Sequence, residues 1–271
     1  MRAWCNGQLV DPTAPALAVL DHGITVGDGV FESVKVVQGR PFALTRHLDR
    51  LARSARGLGL PEPDRDLVLR AIKETLADEE LPSGRIRVTL TAGISPVGSH
   101  RGDAEPSLMV TTAAGPQQPS TAQAVTVPWP RNERSAVAGL KTTSYAENVV
   151  ALAYAAERGA SEAIFGNTVG NLCEGTGSNV FCVFDGAVVT PPLSAGCLAG
   201  VTRGLLIEWC DVREEDIGMA QLAVADEVFL ASTTRDVQAV ARLDGRELGG
   251  HQATEKFADE WRRREAIDVD P

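Results

Sequence analysis

The sequence lacks the features that mark several large classes of protein. It has no Cys-x-x-Cys pair, only four histidines, and five widely spaced cysteines, Cys5, Cys173, Cys182, Cys197 and Cys210. Neither a disulfide framework nor a zinc site is therefore expected. No stretch reaches the ~18 apolar residues needed to span a bilayer, and the N-terminus has no basic region followed by an apolar run. We expect a cytoplasmic chain without a metal ion.

The chain also has fewer basic than acidic residues, with 26 Lys and Arg against 36 Asp and Glu. The formal net charge is -10, so the anionic surface of a nucleic acid or a membrane would be repelled at long range. Any phosphate that the chain binds must be captured by a local site. The sequence contains no G-x-G-x-x-G fingerprint and no internal repeat. Its 271 residues, 44 % of them apolar and 23 % charged, fit an ordinary folded chain of one large or two ordinary domains.

The first part of the chain combines short strands with helices. The stretch GVFESVKVVQGRPFAL predicts two strands around the turn Gln38-Gly39. Apolar residues then recur at helical spacing from Thr45, a candidate N-cap, to a stop at Gly57 and Gly59. A second helix is predicted from Arg65 to Asp78, followed by strands at RIRVTLTAG and SLMVTTAA.

The segment GPQQPSTAQ is the best candidate for a linker because it is rich in Pro, Gly, Gln and Ser and lacks large apolar residues. We predict a small N-terminal domain at residues 1–115, a linker at 116–121 and a larger C-terminal domain at 122–271. The C-terminal part is again a mixture, with helices from about Tyr145 to Arg158, from Thr202 to Cys210 and in KFADEWRRRE. Because strands and helices do not alternate regularly, we predict an α+β fold rather than a Rossmann sheet.

Two segments supply candidate chemistry. GLKTTSYAENVVAL places Lys141 among small polar residues, where its amine can form a Schiff base with a carbonyl. CEGTGSNVF offers Glu174, a carboxylate that can keep a pyridine nitrogen protonated, as in enzymes that use pyridoxal phosphate as an electron sink. Taken alone, a lysine is more often a solvated surface charge.

Three further features are compatible with a phosphate site. Gly200, Val201 and Thr202 precede an apolar helix, whose first amides and dipole attract anions. Ser232 and Thr233 follow the strand DEVFL, and Arg50 lies on a helix three residues after His47. Each has an ordinary alternative, namely a capping turn, a polar turn and a surface arginine, and His47 is expected to be structural rather than a base.

Six motifs in order carry a family resemblance over residues 4–240: DHGITVGDGVFESVKV, LTRHLDRL, LKTTSYAENV, CEGTGSNVF, GVTRGLL and DEVFLAST. The chain resembles the class IV, or fold-type IV, pyridoxal-phosphate enzymes, which include branched-chain and D-amino-acid aminotransferases, (R)-amine transaminases and aminodeoxychorismate lyase. The resemblance implies pyridoxal 5'-phosphate (PLP) as cofactor. It also implies a small N-terminal α/β sandwich, a larger C-terminal pseudo-barrel and a homodimer.

The resemblance assigns roles to the candidate residues. Lys141 resembles the catalytic Schiff-base lysine that also moves the proton, and Glu174 resembles the carboxylate that pairs with the pyridine nitrogen. The phosphate-binding positions of the family match Arg50, Val201, Thr202 and Thr233. With Lys141, Glu174 and Arg50 all present, a catalytically silent scaffold derived from this fold is disfavoured.

The substrate is less tightly constrained. GDGVFESVKV resembles the D-amino-acid aminotransferase pattern, with Phe31 in place of the usual tyrosine. This favours transfer from D-amino acids, with (R)-amines as further donors, to a 2-keto acid. The loop GISPVGSHRGD departs from the arginine-and-histidine pattern of those enzymes, and its His100 and Arg101 are candidate substrate-binding residues. Aminodeoxychorismate lyase, which yields 4-aminobenzoate and pyruvate, is the alternative, and a branched-chain L-amino-acid aminotransferase is third.

Overall fold

The computed structural model describes residues 1–77, 81–115 and 118–271. The chain divides into two compact units. The first contains Met1–Pro116, Leu140–Tyr145 and Asp268–Pro271, and the second contains Gln117–Gly139 and Ala146–Ile267. The predicted division stays a prediction. These units differ from it because two short later segments pack with the first unit, and residues 116 and 117 of the predicted linker lie outside the described residues.

The first unit is built on an antiparallel sheet. Its strands are β1 (Arg2–Cys5), β2 (Gln8–Val10), β3 (Gly29–Val37), β4 (Arg40–Pro41), β5 (Ser83–Thr91) and β6 (Ser107–Ala114), and its helices are α1 (His22–Thr25), α2 (Leu44–Leu58) and α3 (Arg65–Leu76). Within the described residues the strand order is β2-β1-β6-β5-β3-β4. The predicted hairpin turn is present, with Gln38 and Gly39 both at positive φ, as a two-residue turn requires.

Strict alternation along β3 and β5 creates two different faces. Val30, Val34, Ile86 and Val88 are buried in the core, where α2 and α3 add Leu48, Leu51, Val68 and Ile72. Alternation also points Glu32 inward, so that a carboxylate lies in an apolar layer. The opposite face carries Phe31 from β3, with Arg87 and Thr89 from β5.

Helix α2 does not begin where the sequence predicts. Its N-cap is Ala43, at a φ of 52°, rather than Thr45. Alanine offers no side-chain acceptor to the first-turn amides. The carboxylate of Asp270 accepts hydrogen bonds from Thr45 N at 2.9 Å and Thr45 Oγ1 at 2.6 Å, from 225 positions along the chain. The assignment of Thr45 as the N-cap is thus wrong, whereas the predicted stop at Gly59 is confirmed by its left-handed conformation.

The second unit is built on a mixed sheet. Its strands are β7 (Thr121–Thr126), β8 (Glu162–Gly166), β9 (Leu172–Gly175), β10 (Asn179–Phe184), β11 (Ala187–Thr190), β12 (Arg213–Glu214), β13 (Glu227–Ser232), β14 (Asp236–Leu243) and β15 (Arg246–Glu247). Its helices are α4 (Ala146–Glu157), α5 (Val201–Trp209), α6 (Met219–Leu222) and α7 (Gln252–Ile267). The strand order is β12-β11-β10-β13-β14-β7-β8-β9, with β15 on β14.

Pairing within this second sheet combines both directions. The pairs β7–β8, β7–β14 and β11–β12 are parallel, and the remaining neighbours are antiparallel. Helix α5 packs against β13, α7 against β14 and α4 against β8. Over the ranges that the structure describes, no helix combines the length and the apolar character needed to cross a membrane.

Candidate active site

The segment that carries Lys141 is attached to the start of β3. Phe31 N donates to Lys141 O at 3.0 Å, and Thr143 N donates to Gly29 O at 2.8 Å. On the other side, Lys141 N donates to Ser54 Oγ at 3.2 Å. Strand β3 and helix α2 therefore fix the backbone from which the Lys141 amine extends.

The amine of Lys141 lies beside an aromatic wall. Its Nζ is 4.3 Å from the centroid of the Phe31 ring and 3.4 Å from Tyr145 Oη. The Phe31 and Tyr145 rings meet edge to face, with centroids 5.1 Å apart. The guanidinium carbon of Arg87 also lies 3.8 Å from the Phe31 centroid. An amine and a guanidinium thus share one ring as a cation–π partner.

Neither Arg87 nor Tyr145 is predicted from the sequence to be a site residue. Alternation along RIRVTLTAG shows that Arg87 lies on the face opposite Ile86 and Val88. The pairing of Phe31 with Thr89 then makes Arg87 a diagonal neighbour of Phe31 across the two strands. The face of β5 on which Arg87 lies can be read from the sequence. Its position next to Phe31 depends on the register between β3 and β5.

Arg50, which is predicted to bind phosphate, is paired with the buried carboxylate of Glu32. Its Nε and Nη2 donate to the two Glu32 oxygens, each at 2.7 Å, and His47 Nδ1 lies 2.7 Å from Glu32 Oε2. Burial by itself would raise the pKa of the Glu32 carboxyl. The charge of Arg50 and the hydrogen bonds from Arg50 and His47 instead hold that pKa well below 4.5.

His47 is structural, as the sequence predicts. It is buried, and burial lowers its pKa from 6.5, so the neutral ring donates its Nδ1 proton to Glu32. Because the two Glu32 oxygens accept from the Nε–Nη2 edge of the guanidinium, the Arg50 side chain is held in one orientation before any ligand arrives.

The two candidate residues of the β5–β6 loop lie in different environments. His100 is exposed. Arg101 donates from Nε and Nη2 to Asp28, from Nη1 to Gly59 O and from Nη2 to Leu58 O, at 2.6 to 2.8 Å. A substrate carboxylate would have to replace these partners, so the substrate role of Arg101 stays a prediction that the geometry disfavours.

In the second unit, Glu174 lies on β9 with its side chain 15 % exposed. Its Oε2 accepts a hydrogen bond from Leu198 N at 2.8 Å, and its Oε1 lies 3.5 Å from Arg131 Nε. Arg131, which sequence analysis did not identify, stacks over Phe165 at 4.1 Å. An amide donor and a guanidinium thus hold the two oxygens of this carboxylate in place.

Leu198 connects Glu174 to the start of α5. Its carbonyl accepts from Asn179 Nδ2 at 2.9 Å and from Gly200 N at 2.7 Å. A side chain at position 200 would collide with Asn179 Oδ1, so this approach requires glycine. Gly200 is the N-cap of α5 and has no side-chain cap, which leaves the first amides of Val201 and Thr202 to an external acceptor.

Thr233 follows directly after β13, the strand against which α5 packs. The predicted residues therefore form two groups. Lys141, Arg50 and Phe31 belong to the first unit, whereas Glu174, Val201, Thr202 and Thr233 belong to the second. An amine, a carboxylate, a guanidinium and an uncapped helix start are the groups that a cofactor with an aldehyde, a pyridine ring and a phosphate requires. The residues therefore fit PLP.

Comparison with known proteins gives the same class. The model of the family "Amino-transferase class IV" matches residues 29–243. A protein of Methanocaldococcus jannaschii with the provisional name branched-chain-amino-acid aminotransferase is 32% identical over 267 residues, 94% of this chain and 92% of its own. A bifunctional aminodeoxychorismate lyase / D-amino acid transaminase of Mycobacterium tuberculosis is 31% identical over 290 residues, 94% and 95% of the two chains.

A solved structure agrees over the full length. A hypothetical aminotransferase from Mycobacterium tuberculosis in its PLP-bound form superimposes with a TM-score of 0.89, at 29% identity and with 100% of both chains covered. The same protein has been solved with alpha-ketoglutarate and PMP.

Fold and site thus define an enzyme that uses PLP. The chain belongs to the class IV aminotransferases. The predicted family, the fold-type IV α+β architecture, the aminotransferase activity and the PLP cofactor are confirmed.

Glu32→Gln is expected to lower the free energy of unfolding by about 3–5 kcal/mol, because Arg50 would remain buried without its counter-charge. Urea denaturation at neutral pH measures the change. The matched control is Glu62→Gln, which breaks the exposed pair with Arg56 and should cost less than about 1 kcal/mol. Equal losses in the two variants would contradict the structural role of the buried pair.

The same variant has an expected pH signature. The pKa of Glu32 is lowered in the folded state, so its contribution to stability is present above 4.5 and is lost as the pH falls toward the lowered value. The wild-type protein should therefore lose stability on acidification more steeply than Glu32→Gln.

Proposed function

We propose that this enzyme transfers the amino group of a D-amino acid to a 2-keto acid. The proposal rests on one observation above all: the Lys141 amine and the Arg87 guanidinium lie on the same Phe31 ring, at 4.3 and 3.8 Å. An amine that exchanges with the donor amino group and a cation that attracts a carboxylate are the two groups that an amino acid substrate requires.

Each candidate site residue of the first unit then has a proposed role. Lys141 anchors the cofactor and, once released by the donor, carries the proton that leaves the substrate α-carbon. Tyr145 Oη, 3.4 Å from Lys141 Nζ, orients that amine. Phe31 forms the apolar wall of the site, Arg87 binds the substrate carboxylate, and Arg50 binds the cofactor phosphate. His100 is assigned to the rim of the site, whereas Arg101, through Asp28, holds the loop that carries it.

The candidate residues of the second unit have cofactor roles of their own. Glu174 holds the pyridine nitrogen protonated, and PLP, when bound, then delocalises the negative charge that forms on the substrate α-carbon. The amides of Val201 and Thr202 and the Thr233 hydroxyl bind the phosphate. Arg131 and Leu198 N keep the Glu174 carboxylate oriented for that contact.

The preference for D-amino acids is supported by the GDGVFESVKV motif and by relatives. Besides the bifunctional enzyme of M. tuberculosis, a D-alanine aminotransferase of Staphylococcus haemolyticus is 28% identical over 272 residues, 92% of this chain and 91% of its own. The name of the bifunctional relative also favours aminodeoxychorismate lyase as a second candidate activity, since a lyase starts from the same carbanion and expels a leaving group instead.

A half-reaction screen tests the substrate class. The PLP-loaded enzyme is mixed with D-alanine, L-leucine, an (R)-amine or aminodeoxychorismate, and its absorption spectrum is recorded. We expect conversion to the pyridoxamine form with D-alanine and little with L-leucine. Conversion with L-leucine alone would identify a branched-chain enzyme, and release of pyruvate and 4-aminobenzoate would identify the lyase. Lys141→Ala should remove both the internal Schiff-base absorbance and the turnover.

Arg87→Met is expected to raise KM for a D-amino acid by about 10- to 100-fold, because one charge-assisted hydrogen bond to the carboxylate is lost. The KM for an (R)-amine, which has no carboxylate, should change little. Arg85→Met is the matched control, since Arg85 lies on the same face of β5 but pairs with Lys35. Equal effects of Arg87→Met on both donors would refute a carboxylate contact.

The donor and acceptor are not the only expected partners. Helix α4 buries Ala151 and Ala155, yet Val149, Val150 and Leu152 remain 65, 53 and 43 % exposed. A cluster of large apolar side chains on the exposed side of a helix is normally covered by another surface. A second copy of this chain is proposed to cover the exposed side of α4, which makes the enzyme a homodimer.

The replacement of Val149 and Val150 by Glu is expected to convert a dimer into a monomer of 28.7 kDa, because two charges would be buried without partners in the interface. Sedimentation equilibrium measures the mass. Leu69→Glu, at a 38 % exposed apolar position on α3, should leave the dimer intact. A wild-type protein that sediments as a monomer would exclude the proposed interface.

A further inference from the structure

His22 occupies an unusual position for a histidine. It is buried, with Nδ1 2.9 Å from Asp28 Oδ2 and Nε2 2.8 Å from the Gly98 carbonyl oxygen. The pKa of Asp28 is lowered by hydrogen bonds from Arg101 and His22, which outweigh the effect of its burial, so this carboxyl is ionised. A carboxylate and a carbonyl only accept hydrogen bonds. Both nitrogens of His22 must therefore carry protons, and the ring is an imidazolium cation.

A second cation shares the same carboxylate. Arg101 donates to Asp28 Oδ2 from Nε at 2.7 Å and to Oδ1 from Nη2 at 2.6 Å. Gly98, which accepts from His22, and Arg101 both belong to residues 92–106, the loop between β5 and β6. Asp28 thus holds this loop at two points, directly through Arg101 and indirectly through His22.

The turn that contains Asp28 is also bonded to the Lys141 segment. Gly27 O accepts from Thr143 Oγ1 at 2.9 Å and from Ser144 Oγ at 3.0 Å, and Gly29 O accepts from Thr143 N at 2.8 Å. The turn Gly27–Gly29 is therefore fixed on one side by the residues that follow Lys141 and on the other by the two cations.

We propose that His22 is a positioning residue for the reaction: its imidazolium, together with Arg101, ties the 92–106 loop and the turn Gly27–Gly29 into the arrangement that presents Lys141 and His100. Loss of one proton removes the His22 contribution and loosens the loop, while the Arg101 contacts remain. The part that concerns His100 rests on the proposed function. The tie itself, meaning the hydrogen bonds of His22 with Asp28 and Gly98 and of Arg101 with Asp28, lies entirely within the first unit.

The charged groups around His22 determine the direction of the pH effect. Asp28 and Arg101 face the ring, whereas the neighbouring Asp21 is occupied by Thr91 Oγ1 and Gly23 N. The hydrogen bonds to Asp28 and Gly98 raise the pKa of His22 above 6.5, and the charge of Arg101 acts against them. The His22 part of the tie is therefore complete below pH 6.5 and is lost as the pH rises through the raised pKa, whereas the Arg101 part persists.

Hydrogen–deuterium exchange of the PLP-loaded enzyme tests the tie without a substrate. His22→Arg keeps a permanent cation with several donors, whereas His22→Gln is neutral. At about pH 6 the 92–106 loop should exchange alike in the wild type and His22→Arg, and about 10-fold faster in His22→Gln, as expected for the loss of one charge-assisted hydrogen bond. At about pH 9 the wild type should instead match His22→Gln. Comparison at a fixed pH cancels the intrinsic pH dependence of exchange.

Parallel behaviour of the wild type and His22→Arg at both pH values would overturn the proposal, as would slow exchange in His22→Gln. His251→Gln changes a histidine of the second unit and should retain the wild-type pH step, which is the faster exchange of the 92–106 loop at the higher pH. If His22→Arg does not fold, His22→Gln and His251→Gln carry the test, since the step should be absent from the first and present in the second.

Steady-state kinetics supply an independent readout. His22→Gln should raise KM for the amino donor about 10-fold at about pH 6, and His22→Arg should remove the alkaline rise in KM of the wild type. An unchanged KM profile in both variants would refute the link to substrate binding. A failure of the D-amino acid assignment would leave the exchange result intact, so the two proposals fail separately.

Discussion

The carboxylate of Glu32 lies in the apolar layer of the first unit because the alternation of β3 points it inward. A charge in that position is stable only with a close counter-charge and hydrogen bonds. Helix α2 supplies both through Arg50 and His47. Their pairing fixes the rotation of α2 about its axis, and the next turn of the same face then presents Ser54 to the backbone of Lys141.

Strand β3 thus positions most of the candidate site residues of the first unit. Its inward face orients Arg50 through Glu32. Its outward face places the Phe31 ring in contact with the Lys141 amine and with the Arg87 guanidinium. Its first residue accepts the amide of Thr143, and the turn before it carries Asp28. One strand therefore connects the core of the first unit to the Lys141 segment and, through Asp28, to the 92–106 loop.

Several features could be predicted from the sequence because they depend on neighbours along the chain. The Gln38-Gly39 turn, the end of α2 at Gly59 and the helix that follows Gly200 all follow from local backbone preferences. Arg87 and Arg131 were missed because an arginine on a strand or in a loop has no local mark of function. Thr45 was assigned wrongly because the group that caps α2, Asp270, lies 225 positions away.

Six ordered motifs are enough to predict the enzyme class, because they match the lysine, acid and phosphate-binding motifs of the class IV aminotransferases. The sequence also determined the two faces of β3, because alternation needs no partner strand. Other contacts are visible only in the folded chain: Arg87 lies against the Phe31 ring, and Arg101 is held by Asp28 and the end of α2. The tertiary structure also brought the Asp28 carboxylate and the Gly98 carbonyl to the two nitrogens of His22. These properties depend on strand register and on contacts between distant segments, which no local pattern of residues specifies.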